Sequence, residues 1–447
     1  MKRASLGLIA AFVVTSAGAA AAAPRLTKGP YLTALSDTGV EVRFELDAPA
    51  AADVELKAGE GRGDGAAPRT VADGPAAMHV VTVAGLAPAT AYDYAVRAGG
   101  AVLGAGHFIT APAAGSPAPV TFLVYGDTRS SDTTQAALVR LMLATPSDFL
   151  VNTGDIVATG GSASDWQDFF RIEQPLLRDR ALFLAIGNHE LSDDQAGASF
   201  ARYFGFTGAA DAGATARPYG TMRWGSARLF FLNGMHDWSR GEEREWLDRE
   251  LARADAEPGL EWRIVVLHHS PWSSGPHGGN QRLLDANIPE ILAAHGVDLL
   301  LAGHDHIYER GEHGGDAALK YVISGGGGAP LYPIEHRLAS TRKAESVYHF
   351  VEIKLTGDTL RMVAHRIDGT ILDTCGFQKR HPWECDPAPK AETPVGVAAP
   401  PADDAGGGKS SRCGCAVPGG AGPAWGALVV VAGVVAAGMR RSRRRRG

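Results

Sequence analysis

Cysteine is scarce, with four in 447 residues, so no dense disulfide framework holds this fold together. A broad basic face is missing too. The formal charge is −6 although six arginines crowd into positions 440–446. The rest of the chain is therefore more acidic still, which excludes nonspecific nucleic-acid binding. The longest glycine run, Gly325-Gly326-Gly327-Gly328, lacks the Lys-Ser/Thr that a nucleotide-cradling loop carries into its helix. It reads instead as a place where backbones pack closely. Long apolar runs occur only near the two ends.

Those ends concern export. Residues 1–22 read as a signal peptide: Lys2 and Arg3 precede the apolar run Leu6–Val14, and an Ala-rich stretch after Ser16 offers a small-residue cleavage site. At the other end, 387–412 has the Ala/Pro/Gly/Ser composition of a disordered linker. The apolar segment Ala424–Met439 sits near the lower limit for a membrane span, and the arginines after it would hold the terminus on the cytoplasmic side. Cys413 and Cys415 lie in a Gly/Ser-rich stretch without a core, which points to processing or lipid attachment. Cys375 and Cys385 are close enough to staple the end of the folded region in an oxidising compartment.

Between the ends, length and 45% hydrophobic content accommodate two folded units. The first, 24–112, alternates with period two (Val40, Val42, Phe44 and Leu46; Val81 and Val83; Tyr92, Tyr94 and Val96), the pattern of short strands in a β-sandwich. Residues 118–377 change rhythm. Short apolar runs (120–125, 149–153, 181–186, 227–233, 262–268, 298–302 and 320–324) alternate with helical patterns at 133–143, 166–177, 242–254 and 283–294. That is an α/β layered arrangement with polar residues at strand ends. Residues 346–355 and 359–367 form a closing hairpin around Thr356-Gly357-Asp358, and order is expected to fade after Phe377.

Five strand ends carry the chemistry: Gly126-Asp127-Thr128-Arg129, Gly154-Asp155, Gly187-Asn188-His189-Glu190, His269-Ser270-Pro271 and Gly303-His304-Asp305-His306. Seven of the fifteen histidines lie between His268 and His313. Carboxylate, amide and imidazole ligands on separate strand ends converge on a cavity rim without strain, and borderline metals accept that mixture. His304 and His306 alternate by two and so face one side of an extended segment. Two ions at ~3.5–4 Å need a shared anionic ligand, a role that suits Asp155.

These motifs, in this order, resemble the calcineurin-like metallophosphoesterases. With the preceding strands they look most like the purple acid phosphatase branch, which Gly303-His304-Asp305-His306-Ile307-Tyr308-Glu309-Arg310 matches closely. The run Leu86-Ala87-Pro88-Ala89-Thr90-Ala91-Tyr92 resembles the corner of fibronectin type III domains, where the tyrosine hydroxyl ties back to nearby backbone. The tail resembles a MYXO-CTERM sorting signal, which implies a sorting protease and a cell-surface or outer-membrane-associated protein. The phosphoesterase resemblance implies a four-layer αββα core and two metal ions (Fe, Zn or Mn). Asp127 and His306 would serve the first ion, Asp155 would bridge, and Asn188, His269 and His304 would complete the second. His189 would contact substrate phosphate, and His277 would donate to substrate or leaving group. His268 precedes a ligand, so alternation points it the other way, into a structural role.

Two positions depart from the family. Arg129 stands where a histidine ligand often lies, and Ala158 where the purple enzymes place tyrosine. The first ion is thus one protein ligand short, and no tyrosinate-to-iron colour is expected. Arg129 either contacts phosphate, which a guanidinium matches bidentately, or pairs with a nearby carboxylate. Trp238 and Trp272 flank the ligand loops, and His236-Asp237 is a weaker candidate for substrate contact. The expected reaction is hydrolysis of phosphate monoesters by a hydroxide held on the metal pair. Alternatives are a phosphodiesterase or nucleotidase with the same residues, and, from another class, a surface adhesion protein whose phosphatase domain has decayed.

Overall fold

The computed structural model describes residues 23–59, 68–206, 217–314 and 318–386. The segment 1–22, the linker 387–412 and the tail 413–447 lie outside them. Among the described residues, no helix is long and apolar enough to cross a membrane. The chain divides into a compact unit, Met1–Lys390, and a second unit, Ala391–Gly447. The N-terminal strands and the α/β region therefore share one compact body.

Five strands open it: β1 (Leu26–Thr33), β2 (Gly39–Ala58), β3 (Arg69–Ala84), β4 (Ala91–Ala98) and β5 (Ala101–Ile109). They form one continuous sheet because β2 and β3 run through both of its halves. Val42 of β2 pairs Leu32 and Val81, whereas Val54, beyond the bend, pairs Val71 and Val96. The period-two pattern predicts separate short strands here. The structure instead carries the chain through the bend by register shifts between Glu45 and Ala52. At the turn before β4, the Tyr92 hydroxyl accepts the Ala87 N–H at 2.9 Å. Tyr31 and Tyr94 donate to the carbonyls of Tyr203 and Arg178, at 3.1 and 2.7 Å, and so tie this region to the next.

The α/β region follows as β6 (Val120–Tyr125), α1 (Asp132–Ala144), β7 (Phe149–Asn152), α2 (Ala163–Leu177), β8 (Leu182–Leu184) and α3 (Ala198–Phe204). Next come β9 (Gly220–Trp224), β10 (Ala227–Leu232), α4 (Glu242–Asp255), β11 (Trp262–His269), α5 (Gln281–Asp285) and α6 (Ile288–Ala294). The chain continues with β12 (Leu299–Gly303), β13 (Tyr308–His313), β14 (Leu319–Ser324) and β15 (Thr341–Glu345). It closes with β16 (His349–Thr356), β17 (Thr359–Arg366), β18 (Ile371–Gln378) and β19 (Glu384–Cys385).

Two seven-stranded sheets result, ordered β15-β13-β14-β12-β11-β10-β9 and β19-β18-β17-β16-β6-β7-β8. Alternation along each strand explains the layers. Phe122, Val124, Phe149 and Val151 of one sheet share a core with Leu229, Phe231, Ile264 and Val266 of the other. The intervening Leu123, Tyr125 and Leu150 pack instead on Leu138, Phe169 and Phe170 of α1 and α2. Phe230, Leu232, Val265 and Leu267 likewise pack on Leu247, Leu251 and Leu292 of α4 and α6. Helices thus cover the outer face of each sheet.

Two boundaries differ from the sequence pattern. The helix expected over 283–294 is broken into α5 and α6 at Asn287, whose φ of 52° leaves the helical region two residues before Pro289. Order also persists past Phe377: β18 runs to Gln378, and a disulfide joins Cys375 to Cys385 across β18 and β19.

One buried acid beneath the sheet that contains β6 gives a pH prediction. Glu173 on α2 accepts from the Tyr125 hydroxyl at 3.1 Å and from Gln135 at 2.9 Å, and burial pushes it up from 4.5 to about 7. The folded state therefore keeps this proton to higher pH than the unfolded chain does. Stability falls as pH rises from 4.5 to 7 and levels off above, by on the order of 3 kcal/mol. Glu173→Gln, which mimics the protonated acid, is expected to raise the melting temperature at pH 8 and change it little at pH 5. Equal shifts at both values would contradict this.

Candidate metal centre

The parallel strands bring the predicted ligands to one rim. Asp127 follows β6, Asp155 follows β7, Asn188 follows β8, His269 ends β11, and His304 and His306 follow β12. Asp127, Asp155 and His304 each hold a positive φ, of 55°, 57° and 71°. Non-glycine residues rarely adopt that conformation, and it turns their side chains inward. Glycines fit beneath them: a Cβ on Gly303 would lie 2.5 Å from Asp127 Oδ2, and one on Gly187 2.2 Å from Asp155 Oδ1. Gly327 donates to the Gly126 carbonyl at 2.9 Å, so the tetraglycine does pack against the Asp127 loop.

The rings gather closely. Centroids of His269 and His304 are 3.9 Å apart, and His277 lies 4.3 Å from His304. His306 Nε2 stands 3.5 Å from Asp127 Oδ1, while its Nδ1 is held by the Pro330 carbonyl at 2.6 Å. Burial holds His269 down to about 3 and His306 down to about 4, and lowers His304 as well. At neutral pH these imidazoles present lone pairs, the form that binds metal. Burial pushes Asp127 up; it opposes the charge of Asp155 as well, but the contacts of His268 and His189 together hold that carboxylate low.

Counted back from His269, alternation turns His268 away from the site, but His268 continues the inward face of Ile264 and Val266. The register shift between Val266 and His269 turns His269 to the same side, and the two rings end 5.0 Å apart. Nδ1 of His268 is 2.8 Å from the Thr153 carbonyl, and Nε2 is 3.3 Å from Asp155 Oδ1 and 4.0 Å from Asp127 Oδ1. Burial opposes its charge, yet these carboxylates raise it to about 9.

Several buried atoms facing this rim have no hydrogen-bond partner among the described residues: Asp127 Oδ1, Asn188 Oδ1, His268 Nε2 and His269 Nδ1. Unpaired buried acceptors are costly, and a cation among them removes that cost. Two trios lie close enough to hold an ion, His268 with His269 and His304, and Asp127 with Asp155 and His268. The donor set of carboxylate, amide and imidazole therefore fits divalent or trivalent metal.

Around the rim, His189 Nδ1 is held by the Ala158 carbonyl at 2.6 Å, and its Nε2 is 3.9 Å from Asp155 Oδ2. His277 is exposed, with Nδ1 2.8 Å from Asp305. Arg129 Nε lies 3.5 Å from Asp155 Oδ2, and Nη2 3.4 Å from His306 Nε2. A cavity of about 440 Å³ opens here, lined by Asn188, His269, His277, Arg282 and His304. The larger cavity, about 1080 Å³ beside Arg263, Asp298 and Lys320, sits at the opposite strand ends, away from every predicted ligand. Trp238 and Trp272 are buried, and His236 and Asp237 are exposed without lining the site cavity.

Three further residues had no role assigned from sequence. Glu190 accepts from the N–H groups of Asp155 (2.9 Å), Gly187 (2.7 Å), Ile156 (2.8 Å) and Val157 (3.3 Å), clamping two ligand loops together. Its place in Gly187-Asn188-His189-Glu190 was the available signal. Tyr332 stacks on His306 with centroids 4.0 Å apart, and buried Asp305 orients His277.

Residues 120–308 match the model of the family described as calcineurin-like phosphoesterase. Purple acid phosphatase 15 of Arabidopsis thaliana is 26% identical over 301 residues, covering 58% of this chain and 55% of that protein. Purple acid phosphatase 7 of the same plant is 30% identical over 142 residues, covering 30% and 39%. The chain thus spans about half the length, or less, of these curated relatives. Among solved structures, a purple acid phosphatase from yellow lupin (Lupinus luteus) seeds superposes with a TM-score of 0.66 at 18% identity, covering 79% of this chain and 74% of that one. A structure of PhoD gives 0.62 at 12%, covering 81% and 92%. The fold is that of these two solved structures.

Proposed function

We propose that this chain is an exported, metal-dependent phosphomonoesterase. The observation that carries the reading is the convergence of Asp127, Asp155, Asn188, His269, His304 and His306 on one rim, with buried atoms there left unpartnered. Two cations bound at this rim supply Lewis acidity and lower the pKa of a bound water. The protein's part is to hold and to donate. Asp155, which accepts the His189 N–H at 2.9 Å, would be the carboxylate shared by the two ions. With Nδ1 engaged by the Ala158 carbonyl, His189 turns its Nε2 toward Asp155 and the rim, where it would meet substrate phosphate. Asp305 holds His277 Nδ1, leaving Nε2 at the cavity as the atom that gives the leaving group its proton.

Arg129 reconciles its two sequence readings on this account. It pairs with Asp155 and swings to phosphate when substrate enters. Arg129→Ala is expected to raise KM for an aryl phosphate about tenfold, because a charge-assisted contact is lost. It should also tighten cation binding, because a positive charge leaves the ligands. An unchanged KM would contradict the phosphate contact.

Export rests on residues 1–22 and is supported by the Cys375–Cys385 disulfide, which persists in oxidising compartments. The N-terminal region we assign as a fibronectin type III-like module, on the Tyr92 corner and the pairing of β2 with β1, β3 and β4. The tail we assign to sorting and surface attachment on its sequence alone. Initial rates on an aryl phosphate and on its diester test the activity: faster monoester hydrolysis is expected. Faster diester hydrolysis would make the chain a phosphodiesterase, and no hydrolysis of either would leave the adhesion reading.

A further inference from the structure

We infer that His268 is a protein ligand of the first metal ion, taking the place that Arg129 and Ala158 leave unfilled. The inference rests on the metal-dependent reading above. His268 is fully buried, and its Nδ1 faces a backbone carbonyl, which only accepts. Nδ1 must therefore carry the hydrogen, and in the neutral ring Nε2 is a bare lone pair. That lone pair faces Asp155 Oδ1 at 3.3 Å and Asp127 Oδ1 at 4.0 Å, and neither His268 Nε2 nor Asp127 Oδ1 has a hydrogen-bond partner among the described residues. Three electron-rich atoms pointed at one another repel unless something positive, a proton on Nε2 or a metal ion, lies between them. These separations suit ligand atoms that share one ion. A carbonyl fixing the far nitrogen of an imidazole is also the usual support for a metal-bound histidine, and His306 is held in the same way by Pro330.

The rival role is a buried imidazolium that neutralises the two carboxylates. The two roles predict opposite signs. Removing a ligand weakens metal binding, whereas removing a neighbouring positive charge strengthens it. Zinc titration of the metal-stripped full-length protein and of His268→Ala measures this directly. The first ion's dissociation constant is expected to rise at least about tenfold in the variant. A fall in that constant, or no change, would overturn the inference.

A measurement on the unaltered chain guards against a variant that does not fold. With ¹⁵N-labelled histidine and ¹¹³Cd, both cadmium signals should couple to two ring nitrogens each: His306 and His268 at the first site, His269 and His304 at the second. Two bound ions with a single nitrogen at the first site would overturn this inference alone. Failure to bind cadmium or zinc at all would overturn the metal-dependent reading along with it.

Discussion

Asp155→Asn is expected to strip the protein of both ions and to lower hydrolysis of an aryl phosphate by on the order of 10³-fold or more, since bound metal contributes several kcal/mol to the transition state. The amide oxygen that remains carries no charge to share between two cations. Its N–H₂ group would also face the His189 N–H, which now donates to Asp155 at 2.9 Å, or the Arg129 guanidinium at 3.5 Å. Elemental analysis and initial rates on one preparation check both halves. Full activity with normal metal content would remove Asp155 from the centre.

Glu190→Gln has the second largest expected effect, although Glu190 is not placed among the metal ligands. Four backbone N–H groups converge on its two oxygens, and a glutamine turns one of those oxygens into a donor. The loops carrying Asp155 and Asn188 then lose their common anchor. A buried donor left facing another donor costs about 2–3 kcal/mol, and the strained Asp155 backbone depends on that anchor. The variant should melt several degrees lower, retain less than half the wild-type metal and lose about 10²-fold in rate. Wild-type metal content would mean that the clamp serves stability alone.

Much of the site was legible because each candidate ligand is announced locally. A glycine, a ligand type and a strand end recur together, and neither composition nor burial disguises them. The parallel strands β6, β7, β8, β11 and β12 were legible as apolar runs for the same reason. Their alternation sends one set of residues between the sheets and the other to the helices. What the sequence hides is what depends on partners far along the chain. His268 and His269 face the site together because β11 shifts register beside β12, and a bulge set by a neighbouring strand leaves no mark in residues 262–269. Glu190 looks like one more motif acid until the amides of residues 155–157 are seen around it. The length of β2 and β3 was missed because a bend with register shifts interrupts period two as a turn would. The break between α5 and α6 did have a signal, Asn287 just ahead of Pro289, which the apolar spacing outweighed.

Hydrolysis by this chain requires a pair of cations held at this rim. Metal analysis of the full-length protein, with aryl phosphate hydrolysis measured before chelation, after it and after re-addition of metal, tests that directly. Close to two ions per chain, activity abolished by chelation and recovered on re-addition is the predicted result. Undiminished hydrolysis by protein stripped to well under one ion per chain would contradict it.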